Sequence, residues 1–246
     1  SPSLLWQPDS DTSLLLRAYL QKDPSGGYHG SLPLDGTRYA HNGRKLSPST
    51  NEGDPGDGYQ RREQIYSYEF NHQFNDVWSA YSAGSYTHTN VSLDQVYQVG
   101  WVGDSDMLSR GYSGSRGSLD AWSTDNRLRA DFMTGELAHT LILGAEYHRF
   151  RNDLWTGAGN AAPLNPFTGY TPQTGHTITY SDNNNRRYYQ TGLYLQDEMV
   201  WNRWHLDVSG RYDRIVSQQV SDTSGTSNRR SDDHISGRAS LLYALD

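Results

Sequence analysis

Side chains with chemical potential are plentiful in this chain, but their spacing matches none of the usual catalytic constellations. Its 246 residues hold 9 His and 28 Asp plus Glu, and no Cys. Thiolate metal sites, disulfide frameworks and a cysteine nucleophile are therefore excluded. His72, His88, His139, His148 and His205 lie in separate segments without metal-ligand spacing, and no H-E-x-x-H occurs. There is no G-x-S-x-G elbow and no phosphate-cradling glycine loop. The want of a catalytic constellation argues against an enzyme. Basic pairs stand at Arg61-Arg62, Arg186-Arg187 and Arg229-Arg230. With a net charge of −7, these pairs read as anchors for scattered phosphates or as strand starts, not as a nucleic-acid face. The chain is instead rich in aromatics, with 18 Tyr, 7 Trp and 5 Phe against 3 Met. Such side chains build walls with a few hydrogen bonds rather than reaction centres.

The elements that must carry these residues read as strands. Alternation at period two is clear in Tyr66, Tyr68, Phe70, His72 and Phe74, set against Ile65, Ser67, Glu69, Asn71 and Gln73. It recurs where Leu141, Leu143, Ala145 and Tyr147 oppose Thr140, Ile142, Gly144 and Glu146, and where Trp204, Leu206, Val208 and Tyr212 oppose Arg203, His205, Asp207 and Arg211. Extended segments are expected at 3–8, 13–21, 60–74, 77–93, 118–133, 137–154, 188–201, 203–219 and 233–246, about nine in all. Short joints near 9–12, 75–76, 134–136 and 202 alternate with long polar runs at 22–59, 94–117, 155–187 and 220–232. Short, long, short, long is the rhythm of tight turns on one side of a membrane and large loops on the other.

The polar face identifies the class. Mean hydropathy is −0.83, and no stretch approaches the ~18 apolar residues of a membrane helix. An ordinary soluble β-protein is the competing reading. Against it, Arg, Asp, Glu and His occupy alternate positions along several strands, which suits a wide, wet lumen. Trp6, Phe74, Trp78, Phe132, Trp201 and Trp204 crowd the short joints, as an interfacial aromatic belt would. The expectation is an all-β, antiparallel transmembrane β-barrel in the bacterial outer membrane, with its basic pairs toward lipopolysaccharide phosphates. An open sheet cannot end bare in lipid. Further strands are therefore expected on both sides of these residues.

Several segments resemble the barrel of TonB-dependent hydroxamate-siderophore receptors. They are Asn51-Glu52-Gly53, Tyr66 through Asp76, Thr134 through Leu141, Arg149 through Asp153, Gln190 through Asp197 and Gly210-Arg211-Tyr212-Asp213. The likeness runs in order across nearly the whole chain. It implies a 22-stranded barrel, a plug domain outside this sequence, and import of a ferric hydroxamate driven through TonB-ExbB-ExbD. No resident cofactor or metal is implied, because iron arrives only as the siderophore complex. A passive porin-type channel for small solutes is the alternative.

The resemblance also points to ligand contacts. Tyr28 and His29 sit in Gly26-Gly27-Tyr28-His29-Gly30, and Tyr97 and Gln98 in Val96-Tyr97-Gln98-Val99-Gly100-Trp101. The ferrichrome branch carries further aromatics where this chain has His29, Ser31 and Val99. The ferrioxamine branch is closer, with a His in the first stretch and a Gln in the second. Trp155 falls where the family places an aromatic wall. Plainer roles compete with each: loop packing or an aromatic belt for Tyr28 and Tyr97, a solvated histidine for His29, and an upper-belt anchor for Trp155.

Overall fold

A computed structural model describes residues 1–27, 30–168 and 179–245. Tyr28 and His29 lie outside the described residues. The strands are β1 (Ser3–Trp6), β2 (Thr12–Gly26), β3 (Gly58–Gln73), β4 (Trp78–Trp101), β5 (Leu108–Thr134), β6 (Leu137–Leu164), β7 (Asp182–Trp201), β8 (Trp204–Ser221) and β9 (Thr226–Tyr243). They form one antiparallel sheet in sequence order, each strand bonded to its chain neighbours.

The short joints are tight turns, and two of them need left-handed backbone. Gly135 has φ 64° and Asn202 φ 53°, the conformation that Gly and Asn adopt most readily. On the other side the strands run further than hydropathy patterning indicates. β4 and β5 are separated only by residues 102–107, and β8 and β9 only by 222–225. Most of the polar runs 94–117 and 220–232, and part of 155–187, are therefore strand rather than loop. The reason is physical: beyond the lipid both faces of a strand are wet, so the ladder holds polar residues and no apolar alternation marks it.

Register places residues of like character in rows across the strands. One row runs Leu128, Leu143, Leu195, and the next includes Phe70, Ala145, Leu193, Tyr212 and Ile235. Tyr66, Leu143 and Val208 are 45%, 44% and 42% exposed, so among the described residues nothing packs over this face. Aromatics bound the aliphatic rows. Phe74, Trp78, Phe132, Trp201, Trp204 and Tyr243 lie exposed toward the tight turns, with Tyr66, Trp122 and Tyr147 toward the other end. Along β7, Trp201 to Tyr189 spans roughly 28 Å at ~3.3 Å per residue and a tilt of about 45°, close to a hydrocarbon thickness.

The reverse face is an ionic lattice. Arg127 meets Asp125 at 2.5 Å, and Tyr194 Oη donates to the same carboxylate at 2.8 Å. Arg211 donates to Glu146 at 2.6 Å and to both oxygens of Asp213 at 2.7 and 2.8 Å. Arg129 holds Asp131 through two bonds of 2.7 and 2.8 Å. Arg127 and Arg211 also lie over the rings of Tyr81 and Tyr194. Paired charges in partial water stabilise only weakly each, but they keep this wall polar along its length.

Candidate functional site

The few buried apolar side chains lie mostly beyond the lipid band, where strand ends and connections pack together. Leu46, Val96, Leu108 and Leu164 are buried there. Leu108 and Leu164 are direct cross-strand partners, at the start of β5 and the end of β6.

The β2–β3 connection docks on this end of the wall through two knots. The first centres on His41, whose side chain is 7% exposed. Its ring stacks on Trp101 at 3.7 Å with planes 4° apart. His41 Nδ1 is 2.7 Å from the Asp35 carboxylate, and Nε2 is 2.8 Å from the Ser105 carbonyl. The carboxylate and the carbonyl are both acceptors, so a ring protonated on both nitrogens satisfies the two together. The Ser105 carbonyl and then the Asp35 carboxylate accordingly raise the His41 pKa, against the opposing effect of burial. Trp101 Nε1 donates to the Asp35 carbonyl at 2.8 Å. Arg44 pairs with Asp106 and lies 4.1 Å over the Phe167 ring, which stacks on Trp101 at 5.8 Å. Hydrogen bonding from Asn42, then Arg44, holds the Asp106 carboxyl below the ordinary range. The stack and its polar contacts thereby join the β2–β3, β4–β5 and β6–β7 connections.

The second knot is a buried ion pair. The Arg110 side chain is 1% exposed and Asp54 9%, and Arg110 Nη1 reaches Asp54 Oδ1 at 3.1 Å. Nη1 also donates to the Glu52 carbonyl at 2.8 Å, and Nε to the Ala162 carbonyl at 2.8 Å. Asp57 Oδ2 accepts the Val96 N–H at 3.0 Å and the Asp54 N–H at 2.7 Å. Beside this knot, Tyr180 Oη donates to Asp94 at 2.5 Å, and Arg116 lies 4.8 Å over the Tyr180 ring. Burial, then Asp94, pushes the Tyr180 phenol up to about 12.

Of the expected contacts, Tyr97, Gln98 and Trp155 are placed. Tyr97 pairs with Gly111, and a Cβ on Gly111 would stand 3.2 Å from the Tyr97 hydroxyl oxygen, so the ring lies on the glycine. By strand alternation Tyr97 is on the ionic face, half-buried. Gln98 pairs with Arg110 and starts on the opposite face, with Val96; the ladder is irregular between Gln98 and Gly100. Trp155 pairs with Arg116 and stands on the face of Leu143, 43% exposed. The structure does not bring these three side chains together. Arg110, Asp54 and His41 escape sequence reading because their partners lie far off along the chain; for Arg110 the hint available is a charge in an otherwise small-residue run, Ser109-Arg110-Gly111.

Residues 4–246 match the family described as TonB dependent receptor-like, beta-barrel. The chain belongs to that family, and its sheet is a length of outer-membrane barrel wall. It is 49% identical over 258 residues to the ferrioxamine receptor of Yersinia enterocolitica, covering 100% of this chain and 36% of that protein. To the ferrichrome outer membrane transporter/phage receptor of Escherichia coli K12 it is 30% identical, covering 100% of this chain and 36% of that protein. Among solved structures, the closed form of the ferric-catecholate import receptor Fiu from Escherichia coli K12 superposes with a TM-score of 0.76 at 15% identity, covering 100% of this chain and 40% of that one. The chain thus spans about a third of the length of the curated relatives it matches.

Proposed function

We propose that this wall belongs to a receptor that binds a ferric hydroxamate siderophore, ferrioxamine-like before ferrichrome-like, and imports it with TonB-derived energy from TonB-ExbB-ExbD. One observation carries the reading: Tyr97 stands on the wet face above the lipid band, in a chain 49% identical to a ferrioxamine receptor. A ferric hydroxamate is already fully coordinated, so its receptor supplies aromatic surface and hydrogen bonds rather than metal ligands. No resident cofactor and no catalytic step are called for. Tyr28, His29, Gln98 and Trp155 stay in the proposal through the family resemblance. Gln98 and Trp155 start on the face opposite Tyr97, so single substitutions at each will decide their part.

On the outward face, Arg149 shares a row with Trp122 and Tyr189, and Arg151 lies between Asp120 on one neighbouring strand and Arg187 on the other. Asp120 answers one of these two charges, and the repulsion left between Arg151 and Arg187 favours a further anion. These arginines are proposed to meet lipopolysaccharide phosphates. By alternation Arg62, Arg187 and Arg229, one from each basic pair, also fall on this face.

The test titrates the full-length receptor with ferrioxamine B, ferrichrome and a ferric catecholate, following tryptophan fluorescence. Ferrioxamine B should bind most tightly. Preference for the catecholate, or no saturable binding of either hydroxamate, would refute the proposal.

A further inference from the structure

We propose that Arg110 is a positioning residue for the ligand wall: its buried guanidinium ties the 52–57 segment and the end of β6 to the top of β5, and so fixes where Tyr97 stands. The inference rests on the reading of Tyr97 as a ligand contact.

The geometry is specific. Arg110 and Gly111 are neighbours on β5, so the guanidinium lies behind the sheet and the Tyr97 ring in front, on Gly111. Gln98, the cross-strand partner of Arg110, is the last residue before the irregularity at Gly100, where φ is 140°. The ladder is regular below Tyr97 and breaks step one residue beyond Gln98, before Gly100 and Trp101 pair again with Ser109 and Leu108. What the ladder lacks, the second knot supplies. Arg110 donates to Ala162, Glu52 and Asp54, and Asp57 accepts the Val96 N–H immediately before Tyr97. Two segments distant in sequence, 52–57 and the end of β6, converge on one short stretch of β4 and β5.

The knot is built for shape rather than for greatest stability. Arg110 Nη2, Asp54 Oδ2 and Glu52 Oε1 are buried without a hydrogen-bond partner among the described residues. A buried charge pair left partly unsatisfied contributes little net stability, and an apolar replacement often does as well. Retaining it makes sense where geometry matters. Lysine cannot reproduce it, because only guanidinium presents a planar fork to several acceptors at once.

The test is a double-mutant cycle in the full-length receptor, with Tyr97→Ala, Arg110→Gln and the pair together. Affinity for ferrioxamine B is read by fluorescence, and barrel assembly by heat-modifiable gel mobility. Each single change should weaken binding by about tenfold in an assembled barrel, and the double variant should bind no more weakly than Tyr97→Ala. Arg110→Lys should fail to restore affinity. Unchanged binding by Arg110→Gln, or a double variant showing the product of two separate losses, would overturn the positioning role. If Arg110→Gln fails to assemble, Asp54→Asn, which keeps the shape and removes the charge, replaces it in the cycle with the same two outcomes. Normal binding by Tyr97→Ala would instead remove the ligand-contact reading, and the positioning role with it.

Discussion

Leu195 and Gln196 are adjacent on β7, and the two-faced wall assigns them opposite surroundings. Leu195 pairs with Leu143 and Gly210 in the middle of the aliphatic rows and is 46% exposed. Gln196 points the other way and donates to Asp207 at 2.7 Å. Arginine at 195 puts a guanidinium near the bilayer midplane, about 2–4 kcal/mol of destabilisation in a membrane barrel. That is roughly a 30- to 1000-fold loss in the folding equilibrium. Arginine at 196 lands in a wet lattice beside the Asp207 carboxylate and should change stability by less than about 1 kcal/mol. The assay is reversible guanidinium unfolding of the receptor from phospholipid bilayers, comparing Leu195→Arg with Gln196→Arg. Equal costs at the two positions, or a larger cost at 196, would refute the assignment of faces.

Other consequences follow from particular contacts. The contribution of protonated His41 to loop docking should be fully present below its ordinary value of 6.5 and lost as pH rises through the raised folded value. Hydrogen exchange in residues 34–46, corrected for intrinsic rates, should therefore quicken at high pH, and His41→Gln should abolish the dependence; protection that ignores pH in the parent chain would contradict the doubly protonated ring. Gly144→Ala would drive a methyl into the Tyr194 ring, which covers that glycine. Overpacking there should cost about 1–3 kcal/mol in bilayer unfolding, and an unchanged midpoint would show that the ring moves aside freely. Arg151→Ala with Arg187→Ala should weaken copurification of lipopolysaccharide while leaving ferrioxamine B affinity intact, and undiminished lipid would remove that contact.

The membrane part of the fold was legible because lipid imposes a code. Where one face meets hydrocarbon and the other water, Leu141, Leu143 and Tyr147 must alternate with Thr140, Gly144 and Glu146, and the strand is written in the sequence. Above the lipid that pressure ends. Asp94 through Gln98 read as loop by composition, yet they pair residue by residue with β5. The same loss hid the candidate site's support. The Arg110–Asp54 pair and the His41–Trp101 stack unite residues far apart in the chain, and neither local spacing nor residue type announces them. Tyr97 emerged only through family likeness, since a single tyrosine in a polar strand carries little information alone. Gln98 and Trp155 came the same way, and strand alternation sets both opposite Tyr97.

The most direct measurement is anomalous diffraction at the iron edge from crystals of the full-length receptor soaked with ferrioxamine B. The account predicts an iron peak on the ionic face of β4, with the siderophore in van der Waals contact with the Tyr97 ring. An ordered iron complex bound elsewhere, with the Tyr97 ring untouched, would contradict it.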